Sequence, residues 1–307
     1  LAEDKQRLAA TVFSHAREGI LITSADGTIL DVNQMFSQIT GYGREEVVGK
    51  NPHLLSSGRH EKSFYTAMWS DLTENGNWAG EIWNRRTDGT IYPEMLTISA
   101  VRDSQGTTQQ YVALFSDITE IKNHEHQLEH MAHYDVLTNL PNRALLADRL
   151  QQAMSQTVRR KQVVTVCYLD LDGFKAVNDK HGHEVGDQLL IALATSMRQA
   201  LRDTDTLARI GGDEFVAVLL DLADEVSSLT TVERLIQTAS QPVQTGEFVV
   251  QVSASLGVTF YPQAEAVNAD QLLRQADHAM YQAKLAGKNR YCVFEERSPP
   301  DSYGSRR

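Results

Sequence analysis

The chain has 307 residues, a formal net charge of −11 at neutral pH, and 41% hydrophobic against 22% charged residues. This length favours two domains with separate cores, and no apolar run is long enough to cross a bilayer. The negative charge argues against nucleic acid or an anionic membrane as partners of these residues. Cys167 and Cys292 lie in apolar runs, which fits a reducing cytoplasm. Because the sequence begins at Leu1, we expect an upstream segment to be missing, and with it any anchor to the inner membrane.

The first half of the chain has the pattern of a helix followed by an antiparallel sheet. Residues 1–18 place apolar side chains on one helical face, and alternating patterns then predict strands. Asp26-Gly27 between two such runs predicts a hairpin, and a short helix is expected over 33–40. Further strands are predicted over 81–86, 91–101 and 111–118. The expected fold is a five-stranded antiparallel sheet with inserted helices.

A linker helix is predicted next, because apolar residues recur at three- and seven-residue intervals from Ile118 to Met131. This spacing is typical of a signalling helix that pairs with its copy in a dimer. After residue 134, strands and helices alternate, which predicts an α/β half with its central strands covered by helices. The predicted elements are a strand over 163–172, a helix over 184–201, a Gly-Gly hairpin, a helix over 225–240, a strand over 248–260 and a helix over 269–286.

Two acidic clusters end or turn strands in this second half. Asp170-Leu171-Asp172 closes a strand so apolar that it must be central, and Gly211-Gly212-Asp213-Glu214 forms a hairpin tip. Neighbouring strand tips can bring the carboxylates together, which suits Mg²⁺. Two such ions stabilise the attacking and leaving oxygens in nucleotidyl transfer. The two glycines permit a tight turn and close approach of a substrate.

Simpler interpretations of these motifs exist. A lone Gly-Gly-Asp is more often only a turn. A calcium loop starting at Asp170 is rejected because Gly173 falls too early in it and His181 stands where a Glu is needed. The histidines between 124 and 133 have helical spacing, and a solvated helix face explains them better than a metal site.

Four blocks of the second half occur in the order found in the GGDEF family of diguanylate cyclases, which the chain resembles over about 134–295. They are DVLTNLPNR, DLDGFKAVNDKHGHEVGDQLL, RIGGDEF and ADHAMYQAKLAGKNR. The resemblance implies a central sheet flanked by helices, like that of nucleotidyl cyclases and polymerase palms. It also implies a homodimeric enzyme that condenses two GTP into cyclic di-GMP and two pyrophosphates, with two Mg²⁺ or Mn²⁺ ions per active site.

The resemblance assigns roles to individual residues. Asp170, Asp213 and the Leu171 carbonyl would bind metal, and Glu214 would lie beside the attacking 3′-hydroxyl as a metal ligand or general base. Asn178 and Asp187 would read the guanine edge, which adenine cannot match. The remaining substrate contacts would be the phosphate-binding Lys284 and Lys288, the backbone amides of Gly173 and Phe174, and Lys175, Gly211 and Gly212.

An RxxD motif lies upstream of the hairpin. Arg202 stands nine residues before Gly211, and Asp205 comes three residues after Arg202. On its own this pattern is usually a surface pair. At this offset it matches the family's product-inhibition site, where Arg and Asp hold cyclic di-GMP.

The first half resembles a PAS sensory domain over about 8–120, on the segments VNQMFSQITGYGREEVVGKNP and ALFSDITEIK. The stretch NWAGEIWNRRTDGTIYPEMLTISAV is also similar to PAS domains that hold FAD, with Trp78 and Asn84 as candidate ligand contacts. It lacks the reactive cysteine motif of photosensing domains. A dimerising PAS domain without a cofactor is the favoured interpretation, and FAD is the alternative.

We therefore predict a PAS domain with an N-terminal helix over 1–120, a linker helix over 121–133, a GGDEF domain over 134–296 and a flexible tail over 297–307. The predicted function is a PAS-regulated, product-inhibited diguanylate cyclase. The alternative is a GGDEF module that binds GTP or cyclic di-GMP without turnover and regulates a partner domain outside this sequence. A cyclase with a single-nucleotide product is disfavoured by Asn178 and Asp187.

Overall fold

The structure, a computed structural model, describes residues 2–160, 162–222 and 224–295. The chain divides into two compact units, Leu1–Gln127 and Leu128–Arg307. The predicted tail over 297–307 lies outside the described residues. Within the described parts of the chain, no helix has both the length and the apolar character needed to cross a membrane.

The first unit is built on a five-stranded antiparallel sheet in the order β2-β1-β5-β4-β3. This confirms the fold predicted for this half. The strands are β1 Gly19–Ser24, β2 Ile29–Val32, β3 Asn77–Arg85, β4 Ile91–Arg102 and β5 Thr108–Asp117. The helices are α1 Ala2–His15, α2 Gln34–Thr40, α3 Arg44–Val47 and α4 Lys62–Asn75, with a 3₁₀ turn at Pro52–Leu55.

Local signals in the sequence set the ends of α2. The Asn33 side chain accepts a hydrogen bond from the Phe36 backbone N–H at 2.9 Å, which caps the first turn. Gly41 ends the helix at a φ of 79°, a left-handed conformation that glycine adopts without strain. The helix thus buries Phe36 and Ile39 against the sheet, in a core that includes Ile29 and Tyr92.

The linker helix α5 is Thr119–His133, and the boundary between the two units falls inside it. The Asp117 carboxylate accepts the Thr119 backbone N–H at 2.9 Å at its start. Ile118 is buried, whereas Ile121, Leu128 and Met131 are 56%, 64% and 51% exposed. The apolar stripe predicted for this helix is therefore largely on the surface of the single chain.

The second unit contains a five-stranded sheet in the order β12-β11-β6-β8-β7 and a two-stranded ribbon of β9 and β10. Its strands are β6 Val163–Asp172, β7 Thr206–Gly211, β8 Glu214–Leu222, β9 Val243–Thr245, β10 Phe248–Val250, β11 Ser253–Tyr261 and β12 Tyr291–Val293. Its helices are α6 Arg143–Arg160, α7 Phe174–His181, α8 His183–Gln199, α9 Glu225–Ala239 and α10 Ala269–Leu285. Helices cover both faces of the sheet, as predicted.

Alternation along β6 separates two apolar layers. Leu169 and Leu171 point to the layer that contains α7, α8 and α9. Val166 and Tyr168 point to the opposite layer, with α6 and α10. Since successive residues of a strand face opposite sides, Asp170 and Asp172 continue the α10 side to the end of the strand.

Several element boundaries differ from the sequence patterns. The strand predicted over 248–260 is divided into β10 and β11, and the patterns did not indicate α6 or α7. In the five-stranded sheet of the second unit, β11 and β12 pair in parallel, and the pairs β11–β6, β6–β8 and β7–β8 are antiparallel. The antiparallel pairing of β6 and β8 decides the site geometry, because it places the end of β6 beside the start of β8.

Candidate functional site

The acidic residues meet where β6 ends and β8 begins. Asp170 lies directly opposite Glu214 in the pairing of these strands, so both occupy one face of the sheet. The Leu171 backbone N–H donates to the Asp213 carbonyl oxygen at 3.2 Å, which extends the pairing to the hairpin tip. The two acidic clusters, far apart in sequence, therefore lie side by side.

A cavity of about 190 Å³ opens at this edge. It brings together eight of the residues predicted for the site, and adds Asp172. The lining residues are Asp170, Leu171, Asp172, Gly173, Phe174, Lys175, Asp213, Lys284 and Lys288. Acidic groups thus face three lysines across one small opening.

Lys284 reaches the cavity from the last turn of α10. Its Nζ atom lies 2.7 Å from Asp170 Oδ1. The helix can approach the sheet closely because β11 has Gly257 at the crossing point, where a Cβ would come within 1.9 Å of the Ala276 carbonyl oxygen. An Asn268–Gln271 capping box fixes the start of the helix. The lysine is therefore placed by backbone packing rather than by a flexible loop.

The donor set of this cavity fits a hard divalent cation. Burial, and then the neighbouring Asp170, raise the pKa of Asp213, so a nearby cation would stabilise the Asp213 carboxylate. Together with the Leu171 carbonyl they would present oxygen ligands of the kind that Mg²⁺ or Mn²⁺ prefers. Across the described ranges, no group of three His, Cys, Asp or Glu side chains is arranged to hold a metal ion.

Glu214 does not line the cavity. Its Oε2 atom accepts a hydrogen bond from the Tyr168 hydroxyl at 3.1 Å. Burial, with the nearby Glu214 charge, raises the pKa of Tyr168 to about 12, so this hydroxyl remains a donor at neutral pH. Tyr168 therefore orients Glu214, a contact that no sequence motif revealed.

Lys288 enters the cavity from an unusual turn. Lys288 and Asn289 have φ values of 62° and 48°, a left-handed conformation that non-glycine residues seldom adopt. The turn is held because Asn289 donates its backbone N–H to the Asp172 carboxylate at 3.2 Å, and Ser253 and Ser255 also donate to that carboxylate. Asp172 thus supports the lysine turn and the start of β11.

The hairpin tip is clamped by Arg209. Its Nε and Nη2 atoms donate to the Gly212 carbonyl oxygen at 2.9 and 2.8 Å, and Nη1 lies 2.9 Å from Asp135 Oδ1. Asp135 in turn accepts the Thr138 backbone N–H at 2.8 Å. Gly211 and Gly212 have positive φ values at this tip. Arg209 therefore ties the turn that carries Asp213 to the loop after α5, a role that the sequence did not indicate.

The predicted guanine readers lie outside the cavity lining. Asn178 is on α7, and Asp187 is an exposed residue of α8. The two helices pack against each other, with Gly182 between them. Of the two helices, α7 begins at the cavity, because its N-cap Gly173 lines the cavity wall.

The two residues of the RxxD motif have different environments. Asp205 is 5% exposed, and its oxygens accept the Arg202 and Leu220 backbone N–H groups at 3.0 and 3.1 Å. Arg202 is exposed. The carboxylate therefore holds the turn together, and the guanidinium is the member that faces solvent.

Comparison with known proteins decides the family. The family model described as diguanylate cyclase, GGDEF domain, matches residues 132–290, just over half of the chain. The chain belongs to the GGDEF family. A PAS domain model matches residues 17–120, so this GGDEF chain carries a PAS domain in front. Both resemblances found in the sequence are thereby confirmed.

Two curated relatives have names that refer to the synthesis or hydrolysis of cyclic di-GMP. The chain is 45% identical over 177 residues to MucR of Pseudomonas aeruginosa, a bifunctional diguanylate cyclase/cyclic di-GMP phosphodiesterase, covering 58% of this chain and 26% of MucR. It is 31% identical over 288 residues to the cyclic di-GMP phosphodiesterase PdeR of Escherichia coli, covering 93% of this chain and 43% of PdeR. The chain thus spans less than half the length of these relatives.

The fold agrees with a solved GGDEF domain. The structure of the GGDEF domain of TpbB (YfiN) from Pseudomonas aeruginosa is 35% identical, with a TM-score of 0.51. The match covers 53% of this chain and 95% of that domain. The second unit therefore has the GGDEF fold.

The PAS unit of this GGDEF protein has a partly open cavity of about 250 Å³. Of the two candidate ligand contacts, Asn84 lines this cavity, whereas Trp78 does not and instead packs edge-on against Phe64. Aromatic side chains supply part of the wall, namely Tyr65, Trp69, Tyr111 and Phe115. The volume lies below the roughly 300–1,000 Å³ of pockets for drug-sized ligands. It could enclose one flat ring system, but only part of a dinucleotide such as FAD.

A buried carboxyl group is the main polar feature of this cavity. Glu94 is 1% exposed, and its oxygens accept the Asn84 amide at 2.9 Å and the Tyr92 hydroxyl at 2.7 Å. Burial raises the pKa of Glu94 to about 7, although both hydrogen bonds act in the opposite direction. The guanidinium of Arg86 lies 4.0 Å over the Tyr92 ring and pairs with Asp117 at the start of α5. Polar and stacking contacts therefore run from the cavity to the linker helix.

Proposed function

We propose that the chain is a diguanylate cyclase that condenses two GTP into cyclic di-GMP and two pyrophosphates. The observation that carries the proposal is the single cavity in which Asp170 and Asp213 face Lys284 and Lys288. Carboxylates suit a metal-bound triphosphate, and the lysines suit its phosphate oxygens. GTP as substrate places the enzyme in the cytoplasm.

The ion pair between Lys284 and Asp170 suggests how substrate enters. A triphosphate offers Lys284 stronger acceptors than one carboxylate, so its binding would draw the ammonium away from Asp170. Asp170, Asp213 and the Leu171 carbonyl would then hold Mg²⁺ or Mn²⁺. When bound, such ions neutralise phosphate charge and activate the attacking oxygen.

The bond changes define what the protein must position. Each 3′-hydroxyl attacks the α-phosphate of the other GTP, forming one phosphodiester bond, releasing one pyrophosphate and losing one proton. Glu214 is the candidate to receive that proton or to bind metal. Its hydrogen bond to Tyr168 holds it beside Asp170, on the same sheet face.

Two chains are needed, because one site binds one GTP and the product joins two. We propose a homodimer in which the exposed stripe Ile121, Leu128 and Met131 pairs with its copy. Two sites could then face each other with the reacting groups aligned.

We further propose that the PAS cavity is the sensory site. Its buried Glu94 would accept N–H donors of a compact, flat ligand. The contacts from Tyr92 through Arg86 to Asp117 would carry the change to α5, and thereby to the alignment of the two sites. Product binding at Arg202 would provide feedback.

Incubation of the purified chain with GTP and Mg²⁺, followed by chromatographic separation of the nucleotides, tests the activity. Cyclic di-GMP and pyrophosphate are expected, and none should form in the Asp213→Ala variant. GTP or cyclic di-GMP binding without any product would instead identify the non-catalytic module. That alternative is favoured by the relative PdeR, whose name gives a phosphodiesterase activity alone.

A further inference from the structure

The side chain of Asn178 lies directly against the backbone of Gly186. A Cβ atom added to Gly186 would come within 1.8 Å of Asn178 Oδ1 and 2.9 Å of Asn178 Cγ. Gly186 is buried in the first half of α8, and it does not have a positive φ. The backbone conformation therefore does not require glycine at this position. Glycine is required here because the Asn178 carboxamide occupies the space that a side chain would fill.

The carboxamide has one buried and one outward-facing end. Asn178 Oδ1 is buried and has no hydrogen-bond partner among the described residues. Buried polar atoms in folded proteins nearly always have a partner, so this contact needs an explanation. The Gly186 Cα–H group is close enough to act as a weak donor. Among the described residues, Asn178 Nδ2 has no hydrogen-bond partner, and the atom is not buried. It is therefore the end of the carboxamide that is presented to solvent.

The neighbouring residues connect this contact to base recognition. Asp187 directly succeeds Gly186 and is exposed, so one turn of α8 both seats Asn178 and carries Asp187. An outward Nδ2 donates to an acceptor, and a carboxylate accepts from donors. Guanine offers both an O6 acceptor and N–H donors on one edge, whereas adenine has an amino group in place of O6.

We propose that Gly186 is a positioning residue for guanine recognition: by having no side chain, it holds the Asn178 carboxamide with its donor facing the base. The inference rests on the proposed function, in which GTP is the substrate and Asn178 contacts its base. It adds that Gly186 sets the spacing between Asn178 and Asp187, the two residues proposed to contact the base. Phe174, whose Cζ would lie 3.3 Å from the added Cβ, closes the other side of the seat.

A purely structural role for Gly186 predicts a different outcome. If the glycine served only to pack α7 against α8, its replacement would lower stability and reduce all activities together. If it acts through Asn178, replacement displaces a short terminal amide and leaves the fold intact, since alanine is the better helix former. The two roles are therefore separable by comparing affinity with melting temperature.

The experiment uses the full chain with Gly186→Ala, Asn178→Ala and the double variant. The probe is a non-hydrolysable GTP analogue with Mg²⁺, measured by calorimetry, and KM and kcat for GTP are measured alongside. Gly186→Ala is expected to raise Kd and KM about tenfold, the loss of roughly one hydrogen bond, with a much smaller change in kcat. The double variant should bind no more weakly than Asn178→Ala, because both changes remove one interaction. Thr195→Ala, an exposed change on the same helix, is the matched control and should bind like wild type.

The outcomes separate this inference from the proposed function. Suppose that the wild-type protein binds the analogue. If Gly186→Ala then binds it with equal affinity, or if the losses in the double variant are additive, only the role of Gly186 is overturned. Wild-type protein that binds no GTP analogue would overturn both. Should Gly186→Ala fail to fold, Asn178→Gln tests the same seat, because the longer amide cannot lie flat on Gly186. Full affinity in that variant would also reject the proposal.

Discussion

At the residue scale, the site depends on carboxyl groups placed in different environments. Asp170 is paired with Lys284, Asp213 is destabilised as an anion by burial and by Asp170, and Glu214 is held by Tyr168. Three neighbouring acids therefore have three different sets of partners. Such differences allow one carboxylate to bind a cation while another accepts a proton.

Replacing Asp213 tests the catalytic assignment. Asp213→Ala removes a carboxylate from the cavity without creating a buried defect, so synthesis of cyclic di-GMP should fall by at least about a hundredfold. Glu214→Ala should behave similarly. Activity is measured by nucleotide chromatography, and circular dichroism checks the fold. A folded variant with near wild-type turnover would show that the residue has another role.

Arg202 is the test of product inhibition. A guanidinium is a natural bidentate partner for guanine or phosphate, and Arg202 is exposed and available. Arg202→Ala should raise the inhibition constant of cyclic di-GMP about tenfold or more, measured from initial rates at several product concentrations. The control is Arg274→Ala, an exposed arginine on α10. If cyclic di-GMP inhibits Arg202→Ala and Arg274→Ala equally, the RxxD motif is only a surface turn.

Glu94 makes a pH-dependent contribution to stability. Its pKa is about 7 in the folded protein against 4.5 ordinarily, so the folded state binds more protons between these values. The free energy of unfolding should therefore decrease as pH rises through this window, by on the order of 3 kcal/mol. Glu94→Gln should remove that decrease.

The measurement is urea unfolding at pH 5 and pH 8, monitored by tryptophan fluorescence. Trp69, Trp78 and Trp83 are the three tryptophans of the chain, and all lie in the first unit, so the signal reports this unit. Glu45→Gln changes an exposed acid and serves as the control. If Glu94→Gln keeps the wild-type pH dependence of the free energy of unfolding, Glu94 is not the source of that dependence.

At the scale of elements, the hairpin between β7 and β8 is held at its tip by an arginine side chain, in addition to the pairing along its strands. Arg209 bonds the Gly212 carbonyl and pairs with Asp135, and its side chain is 10% exposed. This arrangement couples the turn that carries Asp213 to the segment after α5. A displacement in that segment would reach the cavity through one side chain.

Arg209→Gln tests this clamp. It should lower stability by about 2 kcal/mol, because it removes charge-assisted hydrogen bonds from a mostly buried group. Turnover should fall by more than the folded fraction does, since Asp213 loses its fixed position. Unfolding curves and turnover are measured together, with the exposed Arg274→Gln as control. Full turnover in the folded variant would show that the tip keeps its geometry without the clamp.

At the scale of the whole molecule, the proposed mechanism needs two chains for catalysis and one chain for GTP binding. Turnover per chain should therefore fall as protein is diluted below its dimerisation constant, while GTP affinity stays constant. Sedimentation at the same concentrations establishes the oligomeric state. Constant turnover from a demonstrated monomer would contradict the dimer mechanism.

The linker offers a matched pair of insertions in the same mechanism. Two residues inserted after Leu128 rotate the downstream part of the helix by about 200°, whereas seven keep the phase of the apolar stripe. The two-residue insertion should abolish turnover and spare GTP affinity, and the seven-residue insertion should retain more activity. Equal activity in both would remove the proposed role of α5.

Much of the fold and site could be predicted from local features of the sequence. Alternating and helical patterns identified the sheet of the first unit and most helices of the second. The apolar run ending in Asp170-Leu171-Asp172 and the Gly-Gly turn before Asp213 marked two strand tips. The ordered motifs then indicated residues that the structure places on one cavity, from Asp170 to Lys288.

Other features depend on contacts between residues distant in sequence. The use of Asp172 to support the Lys288 turn, the clamp of Arg209 on Gly212 and the burial of Asp205 are all absent from the motifs. Likewise, Trp78 and Asn84 looked alike as ligand contacts, yet only Asn84 lines the cavity.

The physical reason is the range over which each property is decided. Periodicity, capping and turn preferences act within a few residues, so the chain alone determines where strands, helices and acidic tips occur. Which partner a side chain meets depends on strand pairing and helix packing. The antiparallel pairing of β6 with β8 sets Asp170 opposite Glu214, and the close approach of α10 at Gly257 brings Lys284 to Asp170. Those contacts exist only once the sheet and its covering helices have assembled.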